Sequence, residues 1–324
     1  MRLLVTGCTG FLGRSIGQLA ARNDYEVLGI GRSNQPPAGW PGKYLQKDVA
    51  HSDISMSMQE FMPDVLFHAA GPASVSLSFA APLDDLQAAI LTWANTLDSV
   101  RRSNLNPLVL FPSSAAVYGN PTKLPVCEDA VIAPISPYGF HKAACELLAR
   151  EYSKCFDLDI IVCRFFSVFG VGQRRLLIWE LYQQLVGPDS TVWLQGTGTE
   201  SRDYLDVDDI GVALLQLVDH RFRMRKKSPY KGRHLVVNVA TGEETKVQDL
   251  ALQIRNLVAP AKTIRCRGMK RPGDPARWSA DISLLRSLVP SWEPKPFSLA
   301  LSQCVATWQK QRAFSFYEAE KDSL

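Results

Sequence analysis

Leu3-Leu4-Val5-Thr6-Gly7-Cys8-Thr9-Gly10-Phe11-Leu12-Gly13, almost at the start of a 324-residue chain, decides how the rest is read. Arg2 to Thr6 has the composition of a short buried strand, and Ile16, Leu19 and Ala20 follow at helical spacing. A parallel strand that turns sharply into a helix presents free backbone N–H groups and the positive helix end to an anion. Glycines in the turn let a pyrophosphate come close. Gly7, Gly10 and Gly13, with Thr9, Phe11 and Leu12 between and beside them, therefore predict a dinucleotide cradle. A glycine triplet alone would also serve a tight turn; the strand before it and the helix after it favour the cradle.

Working outward, further strand-like runs lie at Glu26 to Ile30, Asp64 to His68, Leu108 to Pro112 and Ile160 to Arg164. Between them, Leu86, Ile90, Leu97 and Val100, then Leu147, Leu148 and Tyr152, recur three and four apart, as crossover helices do. This alternation predicts an α/β chain: a Rossmann-type doubly wound parallel sheet over residues 1–170, carrying the reactive residues. Past that point the rhythm loosens, and residues 171–324 are expected to form a smaller mixed α/β substrate lobe, some segments of which interleave with the first domain. The basic run from Arg221 to Arg233 is read as a solvated loop, with an anion-binding patch as the alternative. The polar tail after Phe314 is expected to fray.

Composition narrows the class of function. With 46% hydrophobic and 21% charged residues, and no apolar run near the ~20 residues a bilayer span needs, the chain is expected to be globular and independent of membranes. The N-terminus enters a strand-like run at once, so no secretion signal is expected. Seven scattered cysteines without a C-x-x-C pair read as reduced thiols in a cytoplasmic protein, with no metal site. A net charge of +4 is too mild to argue for nucleic acid but suits an anionic small molecule.

At the end of the second strand stand Gly31-Arg32-Ser33. An acid there would hydrogen-bond the adenosine ribose and repel a 2′-phosphate, whereas Arg32 and Ser33 suit that phosphate, so NADP is expected over NAD. Arg32 stacking on adenine or pointing to water is the other reading. Asp48, followed by Val49, is placed to accept from the adenine amino group or to cap a turn.

Tyr138 and Lys142 stand four apart at the opening of a helical run, hence on one helix face. An ammonium beside a phenol favours the phenolate and draws its pKa down from about 10 toward working pH, as a general acid/base requires. A Y-x-x-x-K spacing is cheap alone. It gains weight from Ser113-Ser114 at the carboxyl end of the strand from Leu108, where α/β sheets gather ligands. Ser114 is expected to hydrogen-bond the reacting oxygen, with Ser113 as an alternative and a turn-stabilising role as the bland reading for both.

Taken together, these motifs resemble the extended short-chain dehydrogenase/reductase family, in its NAD(P)-dependent nucleotide-sugar epimerase/dehydratase branch, over nearly the whole chain. In family order fall the glycine turn, Asp48-Val49, His68-Ala69-Ala70-Gly71, Ser114 with Val117-Tyr118-Gly119, Tyr138 with Lys142, and Arg164-Phe165-Phe166. Gly196-Thr197-Gly198 with Ser201-Arg202-Asp203-Tyr204, then Val207-Asp208-Asp209, Asn238-Val239-Ala240-Thr241-Gly242 and Arg271-Pro272-Gly273-Asp274 follow. The resemblance implies that Ala69, Ala70 and Gly71 line the cofactor, that Lys142 also holds the nicotinamide ribose, and that the enzyme is a homodimer formed through two helices per subunit. It further implies that Arg202 and Arg271 hold the diphosphate of a nucleotide sugar and that Asp274 binds a ribose. Guanidinium forks suit phosphate oxygens, and surface ion pairing is the alternative. Two departures stand out. The family's asparagine in the helix after the fourth strand is replaced near Ala88-Ala89, and the one after Arg-x-Phe appears as Ser167, a substrate contact in its relatives.

The reaction is narrowed by what is missing. A 4,6-dehydratase of this family would carry an Asp-Glu pair where Ala115 and Ala116 stand, and a 3,5-epimerising reductase would carry a cysteine beside the serine. Two reactions remain: NADPH-dependent reduction of a nucleotide-linked 4-keto sugar, slightly favoured by Arg32, and 4-epimerisation with NAD held in place, favoured by Ser-Ala-Ala-Val-Tyr-Gly. A cofactor-sensing regulator without turnover is the remote alternative, disfavoured because Tyr138 and Lys142 are both kept.

Overall fold

The structure, a computed structural model, describes residues 1–227, 234–269 and 271–321, with residues 227 and 314–321 described by backbone alone. Its elements run β1 (Arg2–Thr6), α1 (Phe11–Arg22), β2 (Glu26–Gly31), β3 (Lys43–Gln46), α2 (Ser55–Phe61), β4 (Val65–His68), α3 (Val75–Ala80), α4 (Pro82–Leu86), a π turn (Gln87–Leu91), α5 (Thr92–Ser103) and β5 (Leu108–Ser114). A 3-10 turn (Ala115–Tyr118) leads to α6 (Pro137–Phe156), β6 (Asp159–Phe165) and β7 (Ser167–Phe169). There follow α7 (Leu177–Val186), β8 (Thr191–Leu194), β9 (Ser201–Arg202), β10 (Tyr204–Asp206), α8 (Val207–Lys227), β11 (His234–Val239), β12 (Thr245–Lys246), α9 (Val247–Val258), β13 (Thr263–Cys266), α10 (Ser283–Leu288) and α11 (Phe297–Lys321).

Seven strands form one sheet in the order β11-β6-β5-β4-β1-β2-β3, and every pairing in it is parallel. The order reverses between β1 and β4, which opens a crevice beyond their carboxyl ends, where this topology gathers ligands. Alternation along β1 explains why the strand is apolar on both sides. Leu3 and Val5 pack with Ile16 and Ala20 of α1 and Ile210 and Leu214 of α8, while Leu4 faces the opposite layer with Trp93 and Leu97 of α5. Each such fully buried aliphatic contributes about 1.5–3 kcal/mol, so the sheet is held from both faces.

The smaller lobe has its own core, in which Leu181, Tyr182, Val192, Leu250, Ile254 and Trp308 meet. The chain enters this lobe after β7 but returns: α8 packs on α1, and β11 pairs with β6 at the sheet edge. The chain therefore leaves the seven-stranded sheet at Phe165, and α8 and β11 rejoin it.

The basic run differs from the loop read from sequence. Arg221, Arg223, Arg225 and Lys226 lie on the last turns of α8. One turn apart, Arg221 and Arg225 both reach Asp159 at the start of β6, the latter at 2.7 Å. The charges are paired to a buried carboxylate that fixes the helix end against the sheet. Lys231 and Arg233 lie outside the described residues. The tail after Phe314 continues as helix to Lys321, and its side chains and residues 322–324 likewise lie outside them.

Candidate active site

The cradle follows from local sterics. Gly7 has φ +68°, and a Cβ there would lie 2.5 Å from the Ala70 nitrogen and 2.6 Å from the Ala69 carbonyl carbon. Only glycine allows both the left-handed backbone and the close approach of the β1 turn to the β4 end. A Cβ at Gly13 would meet the Gly7 oxygen at 2.5 Å, so the helix can sit down on the turn only without a side chain. Gly10 is the N-cap of α1 and offers no side-chain cap, and the first turn holds no acid. These exposed amides fit a dinucleotide pyrophosphate, which would complete the capping that the sequence leaves out.

Beside the cradle opens a cavity of about 1400 Å³. That is larger than most single-ligand pockets, at ~300–1,000 Å³, and agrees with room for a cofactor and a substrate together. From the sequence-predicted residues it gathers Thr9, Gly10, Phe11, Leu12, Gly13, Ala69, Ala70, Gly71, Ser113, Ser114, Tyr138, Lys142, Ser167, Arg202, Arg271 and Asp274 along one wall or another. Gly7, Arg32, Ser33, Asp48 and Val49 stand outside its lining. Arg32 and Ser33 are exposed at the end of β2, their backbone carbonyls held by Gln46 and Tyr44. Asp48 accepts from the Ala50 amide at 3.0 Å, the turn-capping role, and Val49 is buried in the core.

Tyr138 opens α6 in its first turn. Ser136 caps the helix by accepting from Gly139, Pro137 follows where its missing N–H costs nothing, and the Tyr138 amide donates to Ser78 at 3.0 Å. One turn on, Lys142 is buried, with its ammonium 2.8 Å from the Pro112 carbonyl of β5 and 5.8 Å from the Tyr138 ring centroid. The lysine is thus tethered to the sheet while facing the phenol. Ser114 ends β5, and its hydroxyl accepts from the Ala116 amide at 3.1 Å and stays half-exposed to the cavity. The alternative, Ser113, is committed elsewhere: its hydroxyl is 2.5 Å from Glu146 and the residue is buried. Ala115 and Ala116 form the turn between Ser114 and Tyr118, and both are buried methyl groups.

Behind the strand ends lies His68, fully buried, with Nδ1 3.0 Å from the Thr6 hydroxyl and the ring near Trp93 and Phe111. Burial, and secondarily the charge of Lys142, hold its pKa down at about 3. It is neutral at working pH. Across the cavity, Arg202 lies over Trp278 at 5.4 Å and 3.9 Å from Asp274. Asp203 accepts from Thr241, Gly242 and Ala280 and is fully buried, so this acid ties these loops together and leaves the cavity to its neighbours.

Several lining residues escaped the sequence reading. Gln173 donates its amide nitrogen to the Val168 carbonyl at 3.2 Å, which orients the amide, and its buried oxygen has no partner among the described residues. The Tyr204 hydroxyl is similarly unpartnered among them. Buried polar atoms without partners are rare, and at a cavity wall they mark positions where a ligand completes the bonding. Arg174 and Arg175 also line the cavity, the Arg174 guanidinium lying over Trp179 and donating to Gln311. Gly170 and Gly172, at φ +150° and +94°, shape the loop that precedes these arginines. Among the described residues no group of three His, Cys, Asp or Glu side chains is arranged for a metal ion, and no helix is long and apolar enough to cross a membrane.

A profile of the NAD dependent epimerase/dehydratase family matches residues 3–237. The chain is 25% identical over 316 residues to a putative UDP-glucose 4-epimerase of Methanocaldococcus jannaschii, covering 95% of this chain and 98% of that protein. It is 26% identical over 320 residues to the GDP-6-deoxy-D-mannose reductase of Pseudomonas aeruginosa, covering 91% and 98%. Among solved structures, the UDP-N-acetylglucosamine 4-epimerase from Methanobrevibacter ruminantium, in complex with UDP-N-acetylmuramic acid, superposes with a TM-score of 0.83 at 27% identity over 96% of this chain and 98% of that one. The UDP-glucose-4-epimerase from Stenotrophomonas maltophila, with bound NAD and formylated UDP-arabinopyranose, gives 0.85 at 25% identity over 97% and 99%. With a glycine-built cradle, a tethered Tyr-Lys pair and a match across most of its length, the chain belongs to the NAD dependent epimerase/dehydratase family.

Proposed function

We propose that the protein is a nucleotide-sugar 4-epimerase, and the observation that carries this is the wall of the cavity that brings Ser114, Tyr138 and Lys142 together next to two alanines. Bound at the glycine turn, NAD(P) supplies reversible hydride transfer. Tyr138 takes the proton from the sugar hydroxyl and returns it; Lys142 stabilises the phenolate and stays fixed through Pro112; Ser114 donates to the sugar oxygen as it becomes a carbonyl. Ala115 and Ala116 offer no acid or base for eliminating water across the ring, which disfavours dehydration. Several relatives are named as UDP-sugar 4-epimerases, which supports this order of preference. Arg202, Arg271 and Asp274 are assigned to the substrate's nucleoside diphosphate.

One observation favours a second reading, the reduction of a nucleotide-linked 4-keto sugar. Arg32 and Ser33 stand exposed where NAD enzymes carry an acid, and a GDP-sugar reductase is among the relatives. Incubating the pure protein with UDP-, GDP-, dTDP- and CDP-sugars separates the two. Interconversion of C4 epimers without net consumption of reduced cofactor is the expected result. Stoichiometric NADPH oxidation on a 4-keto sugar, with no epimer formed, would move the assignment to the reductase.

A further inference from the structure

Glu146 touches no part of the cavity, yet it is bonded to the frame on which the Tyr-Lys-Ser group is mounted. It sits one turn beyond Lys142 on α6 and is buried. Its carboxylate accepts from the Ser113 hydroxyl at 2.5 Å and from Arg164 at 3.0 and 2.7 Å, a two-pronged ion pair. Arg164 in turn reaches the Tyr118 hydroxyl and the Glu128 carbonyl, each at 2.8 Å, and Tyr118 donates to Asn238 of β11 at 2.7 Å.

The consequence lies in the spacing. α6 is fastened to the carboxyl end of β5 by two consecutive rungs: Lys142 to Pro112, and Glu146 to Ser113. Side chains four apart on the helix meet residues one apart on the strand. The next strand residue is Ser114, and one turn back on the helix is Tyr138. Sliding or rotating α6 against β5 would change the distance between the phenol and the serine hydroxyl, and the second rung resists that motion. A guanidinium held on its other side by Tyr118 and Glu128 keeps the carboxylate from swinging with the helix.

We propose that Glu146, acting through Ser113 and Arg164, is a positioning residue that sets the separation of Tyr138 and Ser114 for proton transfer. This rests on the function proposed above. The group is expected to matter for the chemical step and little for binding, because neither Glu146 nor Arg164 lines the cavity and Ser113, which does, spends its hydroxyl on Glu146.

The test is Ser113→Ala beside Ser113→Thr. Alanine removes the rung and leaves the Glu146–Arg164 pair bonded, so the chain folds; threonine restores a hydroxyl. On the nucleotide sugar with which the wild type is most active, kcat of Ser113→Ala falls roughly 10- to 100-fold, the loss that a displacement near 1 Å produces. KM stays within about twofold, and Ser113→Thr recovers most of the rate. Glu146→Gln, which keeps the shape but breaks the two-pronged pair, shows the same split between kcat and KM. A Ser113→Ala enzyme with unchanged kcat, or with a rate loss that threonine does not restore, overturns the proposal. Tyr138→Phe serves as the control: if turnover survives in it, or if the wild type turns over no nucleotide sugar, the functional reading fails first and this one with it. Turnover abolished in Tyr138→Phe but intact in Ser113→Ala would remove the positioning role alone.

Discussion

Taking one oxygen from Tyr138 separates proton transfer from binding. Tyr138→Phe keeps the ring that packs against the core, so cofactor and substrate affinities are expected to hold while kcat falls about 10²- to 10⁴-fold, measured as epimer formation. Retained turnover would show that Tyr138 is not the proton carrier. Residue chemistry of this kind was legible beforehand because it depends on local spacing: Tyr138 and Lys142 share a helix face, and Gly7 answers to a turn. Glu146 and Gln173 were not legible. Their partners, Ser113 with Arg164 and Val168, become neighbours only once strands and loops are placed, and no spacing in the sequence encodes that. His68 carries a prediction of its own. Its pKa in the folded chain is lowered to about 3, against an ordinary value near 6.5, so it contributes stability above pH ~6.5 that is lost as pH falls toward 3. The stability difference between wild type and His68→Asn, followed by urea denaturation, is expected to shrink by up to about 1.4 kcal/mol per pH unit in that window. A difference that stays constant would show that His68 does not titrate on unfolding.

At the scale of elements, the strands with short crossover helices were readable, and the ones that return from far away were not. β1, β2, β4, β5 and β6 fall where alternation and apolar runs put them, because each is buried on both faces and must be hydrophobic. β11 closes the same sheet after more than sixty residues spent elsewhere, and its pairing with β6 has no local signal. The end of α8 shows the same limit in charge. Seven cations around a proline look like a solvated loop until Asp159 is placed beneath Arg221 and Arg225. A buried carboxylate holding two guanidiniums is sensitive to removal, since the charges left behind stay desolvated. Asp159→Ala is expected to destabilise the fold by about 3–5 kcal/mol, read from the urea midpoint, whereas Lys226→Ala on the exposed side of the helix stays within about 0.5 kcal/mol. Equal effects of the two changes would mean that the pair stabilises nothing.

On the molecule as a whole, the surface next to the site argues for a partner. Phe140 and Leu147 are 59% and 66% exposed on α6, two turns apart and hence on one face, and Leu83, at 64%, stands on α4, which packs beside α6. Monomeric proteins seldom leave large apolar side chains clustered on neighbouring helices, and a two-fold axis through such a face would bury them against themselves. A homodimer through α4 and α6 would place the interface on the same helix that carries Tyr138 and Lys142. Association would then stiffen α6 from outside while the Glu146 rung holds it from inside. Light scattering on the purified chain is expected to give twice the chain mass, and Phe140→Asp with Leu147→Asp to give a monomer, because two carboxylates per copy would be desolvated at the axis. If kcat of that monomer equals the dimer's, the outer support is irrelevant to the chemistry; if the wild type is already monomeric, the apolar face needs another explanation. A rate loss on dissociation, with KM for the nucleotide sugar unchanged, is the expected pattern, since the interface meets the reacting residues through the helix and not the substrate.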